Sequence, residues 1–192
     1  MKPNMKIFDS MKKYFLLTVF TLAATLWANA QSLDKMQWFN EPESYTIRNG
    51  KLEMDVPAQT DYWRIAHYGF TVDDGPFLYT TVGGEFEAKI KVSGDYKVRF
   101  DQADWSVIEL KEPIPFLWLK AVRRLDAIEL YYSFDDKEYT MMRTLWMQDN
   151  CPLMVGPVAA CPDGQGFKAV FSHFKVKHLP DQRRVEWLRN NQ

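Results

Sequence analysis

Apolar and polar positions alternate along most of this chain, with a period of two. Leu52, Met54 and Val56 alternate with Glu53 and Asp55 before Pro57 stops the run. This is the pattern of a half-buried strand. Residues 77–82 form a short apolar strand bounded by Asp73-Asp74-Gly75-Pro76 and Gly83-Gly84. Phe86, Ala88, Ile90 and Val92 alternate with Glu87, Lys89 and Lys91. Ser93-Gly94 then predicts a two-residue hairpin turn into Tyr96, Val98 and Phe100. Further strands are predicted over residues 105–110, 116–122, 127–133 and 139–146, and a buried run over 153–160. Phe167, Ala169 and Phe171 alternate in one phase and Phe174 and Val176 in another, which predicts a bulge near Ser172-His173. Residues 182–191 are predicted as a helix capped by Asp181, with Val185, Trp187 and Leu188 on its apolar side. Many short strands with regular turns make an all-β, two-sheet β-sandwich with a short C-terminal helix.

Residues 60–70 depart from this alternation. They run Thr-Asp-Tyr-Trp-Arg-Ile-Ala-His-Tyr-Gly-Phe, too polar for a core strand and too aromatic for an ordinary loop. A run of this kind suits a groove where a polar ligand meets flat rings.

The chain opens with a secretory-type leader. A basic Met11-Lys12-Lys13 precedes an apolar run over residues 14–26, and Ala28-Asn29-Ala30 offers small residues for cleavage. The apolar run is too short to span a bilayer as a mature helix. The expected divisions are a signal peptide over 1–30, a β-sandwich over 31–178 and a helical extension over 179–192. Removing the leader takes away four basic residues and one acidic one, leaving 20 basic against 24 acidic. That balance predicts neither a nucleic-acid nor an anionic-membrane partner. No integral membrane anchor is expected, and the location is secreted or periplasmic. The two cysteines, Cys151 and Cys161, are candidates for a disulfide in that compartment. No further ligands at useful spacing suggest a metal, and no motif calls for a cofactor.

Several words in the sequence are specific when taken together. They are Asp61-Tyr62-Trp63-Arg64, His67-Tyr68-Gly69-Phe70, Asp73-Asp74-Gly75-Pro76-Phe77, Asp101-Gln102-Ala103, Asp104-Trp105-Ser106, Tyr132-Ser133, Val155-Gly156-Pro157 and Gly164-Gln165-Gly166-Phe167. In this order, from about Trp38 to Val176, the chain resembles the DUF1349 family of concanavalin A-like β-sandwich (jelly-roll) proteins. Two departures stand out. The family usually has histidine where Pro76 stands. The Asp-Gln-Ala word is normally followed by a glycine and two further strands, whereas here Ala103 joins Asp104 directly. The resemblance therefore implies a sandwich lacking two strands.

Candidate ring-stacking residues are Trp63, Tyr68 and Trp105; Phe77 and Tyr79 are expected more in the core than in a groove. Asp61, Arg64, His67, Asp101 and Gln102 are candidates for hydrogen bonds to sugar hydroxyls, and Arg64 beside Asp61 has a plain ion-pair reading as well. A non-catalytic carbohydrate-binding sandwich is the leading expectation. A glycoside hydrolase using Asp61 or Asp101 as one of two carboxyl groups is the second. A protein-interaction or regulatory module is the third.

Overall fold

The computed structural model describes residues 32–65, 69–96, 114–148 and 151–191. After a 3-10 turn at Leu33–Lys35, twelve strands and one helix follow among these residues. The strands are β1 (Gln37–Phe39), β2 (Tyr45–Arg48), β3 (Lys51–Val56), β4 (Tyr62–Arg64), β5 (Thr71–Asp73), β6 (Phe77–Val82), β7 (Phe86–Gly94), β8 (Leu117–Arg124), β9 (Ala127–Ser133), β10 (Thr140–Trp146), β11 (Leu153–Val155) and β12 (Phe167–His178). The helix α1 is Gln182–Asn190. All strand pairs are antiparallel. A seven-stranded sheet runs β10-β9-β8-β7-β12-β3-β2, and a three-stranded sheet runs β1-β6-β11. β4 and β5 form a separate hairpin.

The core lies between the two larger sheets. β3 alternates as the sequence requires, with Leu52, Met54 and Val56 at most 2 % exposed. They meet Phe86, Ala88 and Val92 of β7, Ala169, Phe171 and Val176 of β12, and Leu78 and Val82 of β6. Trp38, Leu153 and Val155 pack against this cluster from the smaller sheet. Three strands do not cover seven. Burial declines along the larger sheet, from β12 and β7 to the intermediate side chains of β9 and the mostly exposed β10. Over that end a cavity of about 500 Å³ opens, lined by apolar residues that include Ala121, Ile128, Leu130, Leu145, Met147 and Leu153. The shortfall implied by the Ala103–Asp104 junction thus falls, among the described residues, on the smaller sheet.

Most expected strands are present, and the bulge is where the change of phase put it. The pairing of β12 with β7 shifts between Ser172 and Lys175, and His173 has φ 57°. The Ser93-Gly94 turn does not form. β12 pairs Val170 with Ser93 and Ala169 with Gly94, so β7 continues through both. Gly94 leaves room for the exposed Tyr96 ring, which packs 5.2 Å from Phe167 and which a Cβ at 2.8 Å would push aside. The second arm of that hairpin, and the strand expected over 105–110, lie outside the described residues. So does the leader.

The helix begins as predicted, with Asp181 accepting from the N–H groups of Arg183 and Arg184. Val185 and Leu188, expected on its apolar side, are exposed. One buried carboxylate fastens it instead. Glu85 accepts from the Gln182 N–H at 3.1 Å and from Arg124 at 2.7 Å, while its carbonyl takes the Leu179 N–H.

Candidate ligand-binding face

β4 and β5 pair as a hairpin, with Tyr62 opposite Asp73, Trp63 opposite Val72 and Arg64 opposite Thr71. Ile65 (φ 54°) and Gly69 (φ 73°) adopt the left-handed conformation near its tip. There the Ile65 N–H donates to the Phe70 carbonyl at 2.7 Å. The base is clamped by carboxylates. Asp74 Oδ1 accepts from the Asp61 N–H at 2.8 Å, Asp61 Oδ1 accepts from the Tyr62 N–H at 2.7 Å, and the Asp74 N–H returns to the Asp61 carbonyl at 3.2 Å. The Asp73-Asp74-Gly75-Pro76 word is therefore a lock as well as a turn.

Arg64 does not pair with Asp61. Its Nη2 lies 2.9 Å from Asp73 Oδ2, because the antiparallel register brings Asp73 beside it while Asp61 is occupied at the hairpin base. Both groups are largely exposed, so this pair adds little stability. Trp63 is half-buried, and its ring lies 6.4 Å from that of the exposed Phe70.

Three hydrogen bonds fasten the hairpin and the turn that leads from it into β6. Asn40, just after β1, donates to the carbonyls of Asp73 at 2.6 Å and Gly75 at 3.1 Å. The Tyr62 hydroxyl donates to the Gly75 carbonyl at 2.5 Å. Burial pushes the Tyr62 hydroxyl up to about 12, and the nearby charges of Asp73 and Asp74 add to the effect. Gly75 is required by crowding, because a Cβ would stand 2.6 Å from both the Ala159 carbonyl and the Tyr62 ring.

The register of the smaller sheet sets its outward face. Leu78 and Val82 enter the core. Phe77, Tyr79 and Thr81 therefore point away from it, level with Phe39, Gln37 and Met154 respectively. The rings of Phe77 and Tyr79 are 5.6 Å apart, and the Tyr79 hydroxyl donates to Gln37 Oε1 at 3.2 Å. Tyr79 thus stands outside the core in which it was expected, whereas Phe77 is half-buried and also lines the cavity over the larger sheet. The structure also adds Gln37, Phe39 and Asn40. The signal for these was present in the alternation of Gln37, Trp38 and Phe39, but only the pairing of β1 with β6 shows that Trp38 faces in and Phe39 out.

The structure thus joins Asn40, Asp61, Arg64, Asp73 and Asp74 around the hairpin, sets Trp63 beside Phe70 on the other side of β4 from Arg64, and lays Phe39, Phe77 and Tyr79 along β1 and β6. His67, Tyr68, Asp101, Gln102 and Trp105 lie outside the described residues. The disulfide for which Cys151 and Cys161 were candidates is not made. Cys161 is fully buried and pairs through its backbone with Thr60, whereas the Cys151 thiol donates to the Gln148 carbonyl at 3.2 Å. Each cysteine is held by its own local partners. Among the described residues, no three His, Cys, Asp or Glu side chains gather in a way that could hold a metal ion. Nor is any helix there long and apolar enough to cross a membrane. Chemically, the face offers flat apolar rings rimmed by amide, guanidinium and carboxylate groups.

The family of "Protein of unknown function (DUF1349)" matches residues 38–103 and 102–179. The chain belongs to this family. The two matched stretches meet at the Ala103–Asp104 junction. "Regulation of enolase protein 1" of Saccharomyces cerevisiae is 26% identical over 178 residues, covering 75% of this chain and 90% of the relative. That alignment is longer than the part of this chain it covers, so the yeast protein carries residues that this one lacks. A solved structure of a functionally unknown protein from Saccharomyces cerevisiae superposes with a TM-score of 0.73 at 25% identity, covering 78% of this chain and 99% of that one. The GH43 BlXynB protein from Bacillus licheniformis gives a TM-score of 0.57 at 15% identity, over 80% of this chain and 40% of that chain. This last likeness is one of fold.

Proposed function

We propose that this DUF1349 protein is a secreted, non-catalytic β-sandwich that binds carbohydrate, or a related ligand rich in hydroxyls, on the outward face of β1 and β6 beside the β4–β5 hairpin. One observation carries the reading: Phe39, Phe77 and Tyr79 share the face away from the core, next to a hairpin that carries Trp63 and Arg64. Sugar rings present C–H faces that stack on aromatic rings, and their hydroxyls suit the amide and charged groups at the rim. Secretion is proposed from the leader pattern of residues 11–30.

Binding fits the carboxylates better than hydrolysis does. Asp61 and Asp74 each accept a backbone N–H at the hairpin base, and Asp73 pairs with Arg64. A hydrolase would instead set two carboxyl groups across the scissile bond. A regulatory, protein-binding role is the second reading, and the description of the yeast relative favours it.

The test is a glycan array probed with wild type and Trp63→Ala. Binding to a defined glycan class, weakened at least about tenfold by the substitution, is expected. Retention of no glycan, or binding indifferent to Trp63, contradicts the proposal. Release of sugar from pooled polysaccharides would move the function to hydrolysis. Retention of a discrete protein without sugar would favour the second reading.

A further inference from the structure

The outer face of the seven-stranded sheet carries a row of like charges. Lys175 of β12 is opposite Lys89 of β7, Lys89 is opposite Lys120 of β8, and Lys120 is opposite Tyr131 of β9. Ala88, Val92 and Val176 on the alternate positions are buried, so the lysines point out of the sandwich. Adjacent strands are about 4.8 Å apart, so three ammonium-bearing chains line up across about 10 Å. Like charges directly opposite one another destabilise a sheet. A local rule broken this way is most often kept for function.

Aromatic rings surround the row. Lys120 Nζ lies 4.0 Å from the Tyr139 ring centroid and 4.7 Å from that of Tyr131. Lys89 lies 5.2 Å from Trp118, while Lys91, one row along, sits 3.6 Å from Phe116 and 5.9 Å from Trp118. The bulge of β12 sets the His173 ring 5.2 Å from Trp118. Among the described residues, the carboxylate bonded to the row is Asp136, which takes Lys89 at 2.7 Å and the Tyr139 hydroxyl at 2.6 Å. Burial would raise the Asp136 carboxyl, but those two hydrogen bonds and the charges of Lys89 and Lys175 together hold it below its ordinary value. Glu87 and Glu129 lie in the neighbouring row, separated by Val122.

We propose that this face is a second binding surface, for an acidic polysaccharide whose sugar units carry carboxylate or sulfate groups. The row supplies cations at a repeat set by the strand spacing, and the rings beside it supply stacking surface. A chain of acidic sugars has both features. The near-neutral balance of the whole protein favours this over nucleic acid, which would call for a wider basic surface. The inference does not depend on the face beside the hairpin, and its test separates the two.

Binding of the purified full chain to polygalacturonate, to a sulfated glycan, to neutral galactan and to single-stranded DNA is measured at low and at physiological salt, with Lys175→Gln and Trp63→Ala alongside wild type. The expected result is salt-sensitive binding to one or both acidic glycans, with galactan and DNA at least about tenfold weaker. The polygalacturonate and sulfated arms separate carboxylate from sulfate recognition. Lys175→Gln is expected to weaken acidic-glycan binding about tenfold, with the thermal midpoint unchanged or higher, because a repulsive neighbour is removed. Loss of acidic-glycan binding in Trp63→Ala would place that binding on the hairpin face and overturn the proposal. Absence of acidic-glycan binding at low salt, equal binding of DNA, or binding indifferent to Lys175 overturns the proposal.

Discussion

At the scale of single residues, Gly75 and Tyr62 decide whether the hairpin seats on the smaller sheet. Gly75→Ala puts a methyl 2.6 Å from a carbonyl and from the Tyr62 ring. It should cost about 1–3 kcal/mol in urea unfolding, as overpacking of a tight contact does. Tyr62 gives a pH signature. Its folded-state value of about 12 stands above the ordinary 10.0. Below pH 10 both states keep the proton. Between pH 10 and 12 the unfolded chain releases it first, so stability falls as pH rises through that window. Tyr62→Phe should therefore show a shallower alkaline loss than wild type in unfolding curves collected from pH 9 to 12. Parallel curves would contradict this account of the buried hydroxyl. The residue scale is also where the sequence was least readable. Arg64 looked like the partner of Asp61 because the two are close in the chain, yet the hairpin register gives it to Asp73. Phe77 and Tyr79 looked like core because an apolar run does not say which of its faces is covered. Asn40 carried no pattern, since its role as a tie arises only when β1 and the hairpin meet.

At the scale of elements, alternation specified most of the strands and one local irregularity. β3 and β7 follow directly from it, β6 and β9 follow from the turn signals beside them, and the change of phase at Ser172-His173 marked the bulge. It failed at Ser93-Gly94, where a turn-forming pair is held extended by β12. A turn propensity is local, and pairing with β12 overrode it. The helix illustrates the converse. Its cap was legible in Asp181, but its anchorage was not, because Glu85 lies 97 positions from Gln182. Glu85→Ala should free residues 179–191 to rapid amide exchange while β7 and β12 stay protected. Removing a buried acceptor of this kind costs about 1–3 kcal/mol locally. Equal protection of the helix in both proteins would show that something other than Glu85 holds it.

At the scale of the molecule, the fold class was plain in the sequence, and so was the place of its irregularity. Ala103 joins Asp104 where the family match divides. Which sheet would be short was not visible, because strand order is not written in the alternation. Among the described residues the smaller sheet is the short one, and the inner face of β8 to β10 borders a cavity. Apolar surface left over a cavity of about 500 Å³ is unused stabilisation. Ala121→Leu, which adds apolar volume at the cavity wall, should raise stability by about 0.5–2 kcal/mol in chemical denaturation. A loss of similar size would mean that the space is already filled in solution.

The proposed ligand face sits on the outer side of that same small sheet, which makes its occupancy the most direct question. The measurement is a titration of the tryptophan indole N–H resonances with a neutral oligosaccharide chosen from the array. The indole of Trp63 is expected to shift progressively and saturate, while that of Trp118, on the outer face of the larger sheet, stays in place. Unmoved indoles at millimolar oligosaccharide, or a shift at Trp118 with none at Trp63, would contradict it.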